Sequence, residues 1–108
     1  MPNLKYQMYN PPHPGLLLKE SMEGHNLSIS KMAMLLGINR AYLSKIVNGK
    51  QGISVVMALR IAKLYGTGFE FWIDAQNAYD IWQAEQNTDF SKVKILIEEK
   101  QKIPEKTY

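Results

Sequence analysis

The 108-residue chain contains no cysteine, which excludes disulfides and cysteine-held zinc. It has no stretch approaching the about 20 apolar residues that a membrane span requires. Its opening segment, MPNLKYQMYNPPHPG, has no apolar run of the signal-peptide kind. A soluble, cytoplasmic protein with no membrane partner is the expectation. His13 and His25 are the only histidines, and each reads as a helix cap or surface residue. Catalytic Ser/His/Asp spacing, a metal-ligand cluster and a phosphate loop are all missing. Gly66 and Gly68 end one helix and begin another, with no strand before them as a nucleotide loop needs. No enzymatic activity, cofactor or metal is therefore expected. The most informative gap is in charge: from Gly24 to Phe69 there is no acidic residue.

What the chain does have is enough apolar material, 45% of residues, for one compact core. Within the acid-free stretch stand Lys31, Arg40, Lys45, Lys50, Arg60 and Lys63. Residues 70–108 reverse the balance, with eight acids against five lysines. Such asymmetry points to two faces with different partners, and the basic one suits a polyanion.

The apolar spacing and the caps predict an all-α chain of five helices. Pro14 suits a first helical turn, and that helix runs to about Gly24 with Leu17, Leu18 and Met22 inward. Ser28 caps a second helix, in which Met32, Leu35 and Leu36 recur at helical spacing before Gly37 stops it. Asn39 caps a third, with Leu43, Ile46 and Val47 inward and Asn48–Gly49 as terminator. Ser54 caps a fourth, whose buried face is expected at Val56, Leu59, Ala62 and Leu64. Thr67 and Glu70 have the spacing of a capping box and open a fifth helix. From Asn87 onward the pattern fits two states: Val93, Ile95 and Ile97 alternate like a strand, while Val93, Leu96 and Ile97 fit a helix. The division is an arm at 1–12, one domain at 13–86 and a tail at 87–108.

Residues 29–48 fit a helix-turn-helix. Two short helices that cross closely need a small residue where they touch, and Ala33 supplies it. The tight turn favours a left-handed residue, and Gly37 adopts that conformation without a Cβ penalty. Ile38, Leu43 and Ile46 then anchor the third helix and leave Arg40, Ala41, Ser44 and Lys45 outward, with Tyr42 beside them. If this helix enters a major groove, Arg40 can pair bidentately with a guanine. Lys45 reaches a base or a phosphate, and Ala41 a thymine methyl. Tyr42 meets either a methyl or the backbone. Asn48, Lys50 and Gln51 follow the helix, where phosphates lie. Ser28 and the free N–H groups at the start of the second helix form another anion site. An acid on this surface would be repelled by phosphate, which accounts for the gap.

The segment LSISKMAMLLGINRAYLSKIVNGKQGIS resembles the Cro/C1-type (XRE) helix-turn-helix domain. HPG at 13–15, NGKQGIS at 48–54 and GTGFEFWIDAQNAYDIWQA at 66–84 narrow the resemblance to the HigA/VapI-type antitoxins. It covers about residues 13–84 and implies a five-helix bundle of the lambda-repressor-like type. It also implies two activities: neutralising a HigB-type, mRNA-cleaving ribonuclease toxin, and repressing the shared operon as a homodimer on a palindromic DNA operator. Arg40, Ala41 and Lys45 match the family's base-reading positions, and Asn48 and Lys50 its phosphate contacts. Leu16 stands where the family usually has an acid. The alternative is a stand-alone XRE-type repressor without a toxin.

On the fifth helix, Phe69 and Trp72 are expected in the core. Tyr79 and Trp82 fit either core or a dimer seam. The acids Glu70, Asp74, Asp80, Glu85 and Asp89 form either an ordinary solvated face or a surface that attracts a basic ribonuclease. The N-terminal arm is an equally good toxin contact.

Overall fold

A computed structural model of the chain describes residues 10–96. These residues form five α-helices and no strand: α1 Pro14–Gly24, α2 Ile29–Leu36, α3 Arg40–Val47, α4 Val55–Tyr65 and α5 Glu70–Asn87. Residues 1–9, most of the expected arm, lie outside the described residues, as does Ile97. Val93 and Ile95 are exposed on irregular backbone, so the strand-like alternation forms no strand there.

Local chemistry explains where the helices begin. The side chains of Ser28, Asn39 and Ser54 accept the N–H groups of Lys31, Tyr42 and Met57 at 3.1, 2.7 and 3.0 Å. Each satisfies one of the donors that a helix start leaves free. His13 does the same for α1, its Nδ1 accepting from the Gly15 N–H at 2.8 Å, with Pro14 at the first helical position.

α5 begins differently from the capping-box expectation. Its N-cap is Phe69, in αR conformation, and no side chain caps it. Thr67 Oγ1 instead contacts the carbonyl of Gly68 at 3.4 Å.

α3 packs against α1 and α2, and α5 against α1 and α4. Leu18, Met32, Leu43, Ile46, Met57 and Ile61 are fully enclosed at the centre. At about 25 cal/mol per Å² of apolar area, each such side chain stabilises the fold by roughly 1.5–3 kcal/mol. Trp72 is the buried anchor of α5.

Three expectations about the core need correction. α4 buries Met57, Ala58, Ile61 and Ala62, whereas Val56 and Leu59 are 61% and 48% exposed. In the run VVMALRIA two apolar stripes overlap, and contact with α2 and α5 selects one. Leu35 faces outward on α2 while Met32 and Leu36 are buried. Phe69 is 41% exposed because it stands before the helix and not on its inner face.

Candidate nucleic-acid interface

The turn between α2 and α3 is built on Gly37, at φ 74° and ψ 33°. A non-glycine residue is strained in this left-handed region. The reversal lets Gly37 and Ile38 donate their N–H groups to Met34 and Ala33 carbonyls at 3.2 and 3.0 Å. Ala33, the small residue expected between the two helices, is buried. Ile38 is half-buried against the core.

α3 ends in a second closure of the same kind. Gly49 lies at φ 75°, and the N–H groups of Gly49 and Lys50 donate to the carbonyls of Ile46 and Lys45 at 3.0 and 2.8 Å. That is the double bond pattern of a Schellman motif. The chain leaves α3 with Lys50 and Gln51 exposed.

The face between these two turns carries the candidate contacts. Leu43, Ile46 and Val47 are buried, while Arg40, Ala41 and Lys45 are exposed. Among the described residues, neither Arg40 nor Lys45 is paired with a carboxylate. Tyr42 and Ser44 sit half-buried at the edges of the face. The Asn48 Nδ2 donates to the Ser44 carbonyl at 2.9 Å and contacts Ser44 Oγ at 3.3 Å. Ser44 and Asn48 therefore act first as a closure of α3. Asn39 is exposed and its Oδ1 is occupied as a cap. Ser28 is exposed, and its cap interaction uses the oxygen as acceptor.

Two packed helices of this length, joined through a left-handed Gly37, with Ala33 buried and a cationic face outward, form a helix-turn-helix. A helix-turn-helix family model (HTH_3) matches residues 18–72. The chain belongs to the helix-turn-helix family. Within it, the chain is a DNA-binding protein of the XRE type, related to the HigA antitoxins, and the family is non-enzymatic. Virulence-associated protein A' of Dichelobacter nodosus is 45% identical over 92 residues, covering 83% of this chain and 78% of that protein. The structure of a HigA-family addiction-module antidote protein from Coxiella burnetii is 38% identical with a TM-score of 0.68, over 72% of this chain and 86% of that one. Antitoxin HigA of Pseudomonas aeruginosa, solved with the higBA promoter, is 30% identical with a TM-score of 0.68, over 70% of this chain and 84% of that one.

The helix-turn-helix also recruits a residue that sequence alone assigns to the basic surface. Arg60 on α4 donates through Nη1 to the Leu36 carbonyl at 2.9 Å. The same nitrogen lies 3.5 Å from the Gly37 carbonyl. Its charge therefore meets the carbonyl end of α2, where a cation is favoured, and one of the six cations of the acid-free stretch holds the turn.

α5 contributes contacts that composition did not single out. Gln76 Oε1 accepts the N–H of Ile53, in the loop after α3, at 2.7 Å. His13 is 8% exposed and packs edge-on against Tyr79, with ring centroids 4.8 Å apart. Burial holds the His13 pKa below its usual value, against a smaller opposite pull from Asp80. Tyr79 and Trp82 are both half-buried, and with Pro12 and Leu16 they line a cleft of about 460 Å³. No helix among the described residues is long and apolar enough to cross a membrane.

Proposed function

We propose that this chain is an antitoxin that represses its own operon and neutralises a HigB-type ribonuclease toxin. The observation that carries the DNA half is the exposed α3 face. Among the described residues, Arg40 and Lys45 stand there without carboxylate partners on a helix seated by Leu43 and Ile46. Arg40 at the start of α3 reads a guanine edge, with Ala41 and Tyr42 beside it and Lys45 one turn on. Ser28, Asn39, Ser44, Asn48, Lys50 and Gln51 surround these positions, and Lys50 and Gln51 meet phosphates. Two copies related by a two-fold axis place their α3 helices one DNA turn, about 34–36 Å, apart, so the operator is palindromic. Tyr79 and Trp82 are the proposed seam.

The toxin half rests on the HigA relationship and on charge. α5 carries Glu70, Asp74, Asp80 and Glu85 and no lysine or arginine, the reverse of residues 24–69. A ribonuclease that holds RNA is basic, and an acidic helix attracts it.

The test has two arms. A mobility-shift assay on the DNA upstream of the gene is expected to show sequence-specific retardation. Co-expression with a toxic HigB-type ribonuclease, sought as the product of the neighbouring gene, is expected to restore growth. Retardation without rescue makes the chain a stand-alone repressor, and rescue without retardation removes the DNA role.

A further inference from the structure

The three segments that narrow the family resemblance, 13–15, 48–54 and 66–84, meet in space. His13, Gly49 to Ser54, and Gln76, Tyr79 and Asp80 line one cleft of about 520 Å³. The loop in this cleft carries Lys50 and Gln51, and its backbone is held at both ends. At Lys50 it is tied to α3 through the Lys45 carbonyl at 2.8 Å. At Ile53 it is tied to α5 through Gln76 Oε1 at 2.7 Å. The amide of Gln76 is itself oriented, because its Nε2 donates to Asp80 Oδ1 at 2.8 Å. Glycine at position 52 permits this approach: a β-carbon there would lie 3.0 Å from Gln76 Nε2. The His13 ring lies close behind the loop, with a β-carbon on Gly49 coming to 3.9 Å from its Cγ.

We infer that Gln76 is a positioning residue for DNA binding, clamping the loop after α3 onto α5 so that Lys50 and Gln51 are presented to the phosphates. The inference rests on the phosphate role proposed above for those two residues. A backbone N–H that is clamped loses little further freedom on binding, so ordering of the loop is completed at folding and not at the DNA. The residue acts through the loop and needs no contact with DNA of its own.

The test compares Gln76→Met, Lys50→Ala and the double variant in the full chain, on operator and random DNA across a salt series. Gln76→Met is expected to weaken both DNAs about fivefold, the equivalent of one ordinary hydrogen bond. It is also expected to lower the slope of log K against log salt by up to one unit, as loss of a phosphate contact does. In the double variant the losses are expected not to add, because both act through the same contact. A purely structural role for Gln76 lowers the melting temperature but leaves the salt slope and the additivity of the folded protein intact. An unchanged slope in Gln76→Met, or full additivity with Lys50→Ala, overturns the inference. Should Gln76→Met fail to fold, Gln76→Ala decides, since alanine suits a helix and removes the acceptor of the Ile53 N–H; a wild-type affinity and slope there likewise overturns it. An unchanged slope in Lys50→Ala itself overturns the phosphate role, and the clamp's function with it, which is a distinct result.

Discussion

Gly15 on α1 lies directly against the backbone carbonyl of Ile46 on α3, so closely that a β-carbon at Gly15 would overlap the oxygen. The approach explains glycine in HPG. Gly15 also donates its N–H to His13, so one residue closes the α1 cap and sets the α1–α3 spacing. Gly15→Ala is expected to destabilise the fold by about 1–3 kcal/mol, the cost of overpacking a closed site. Urea unfolding checks it, and a loss below about 0.5 kcal/mol would falsify the close approach.

Arg60→Met is expected to cost about 1.5 kcal/mol of stability, because the Leu36 carbonyl loses a charge-assisted partner. Operator affinity of the folded variant is expected to fall little, with its salt slope kept. A drop of a full unit in that slope would instead put Arg60 on the DNA.

Arg40→Ala is expected to cost roughly 1–3 kcal/mol on the operator and to relax preference at one base pair. Competition against single-base operator variants measures it. Equal weakening on random DNA would reassign Arg40 to phosphate.

The two apolar stripes of α4 separate by substitution. Ile61→Ala is expected to cost about 2–5 kcal/mol, since Ile61 is fully buried. Val56→Ser is expected to change stability by less than about 0.5 kcal/mol. Thermal melts at two protein concentrations test both, and a concentration-dependent loss in Val56→Ser would place that residue in a contact between copies.

Stability is expected to depend on the protonation of His13. Burial favours the neutral ring, and Nδ1 as an acceptor from Gly15 needs it unprotonated. The unfolded chain takes up this proton near the ordinary value of about 6.5. The contribution is therefore complete above that pH and is lost as pH falls through the lowered native value. Urea midpoints measured between pH 7.5 and 5 for the wild type and His13→Asn provide the check: the asparagine keeps a cap acceptor and is expected to flatten the fall. An equal fall in both chains would assign the effect elsewhere.

Much of the fold is legible in one dimension because capping is local. Ser28, Asn39 and Ser54 each bond to the N–H three residues on, and Gly37 and Gly49 take the left-handed conformation at the predicted stops. The outward set on α3 follows from the same short-range periodicity. Phe69 and the Thr67–Glu70 pair mislead because a helix can start without a side-chain cap when Trp72, three residues on, is anchored in the core. The stripe on α4 misleads because valine and leucine at 55, 56 and 59 are as apolar as the residues actually buried. The Gln76–Ile53 bond spans 23 residues, beyond any local rule, and a glutamine on an acidic helix carries no mark of its partner.

The amino-acid order alone determined five helices, the two left-handed turns, the separation of basic from acidic segments and the identity of the candidate reading residues, since all of these depend on neighbours within about one helical turn. Tertiary packing decided which cations remain available, moving Arg60 from the surface set to the α2 carbonyls. It also decided which stripe of α4 is core, and what holds the loop after α3. Those outcomes depend on which backbone groups distant helices bring together, and a carbonyl or N–H left open at one turn attracts whichever side chain the fold delivers to it.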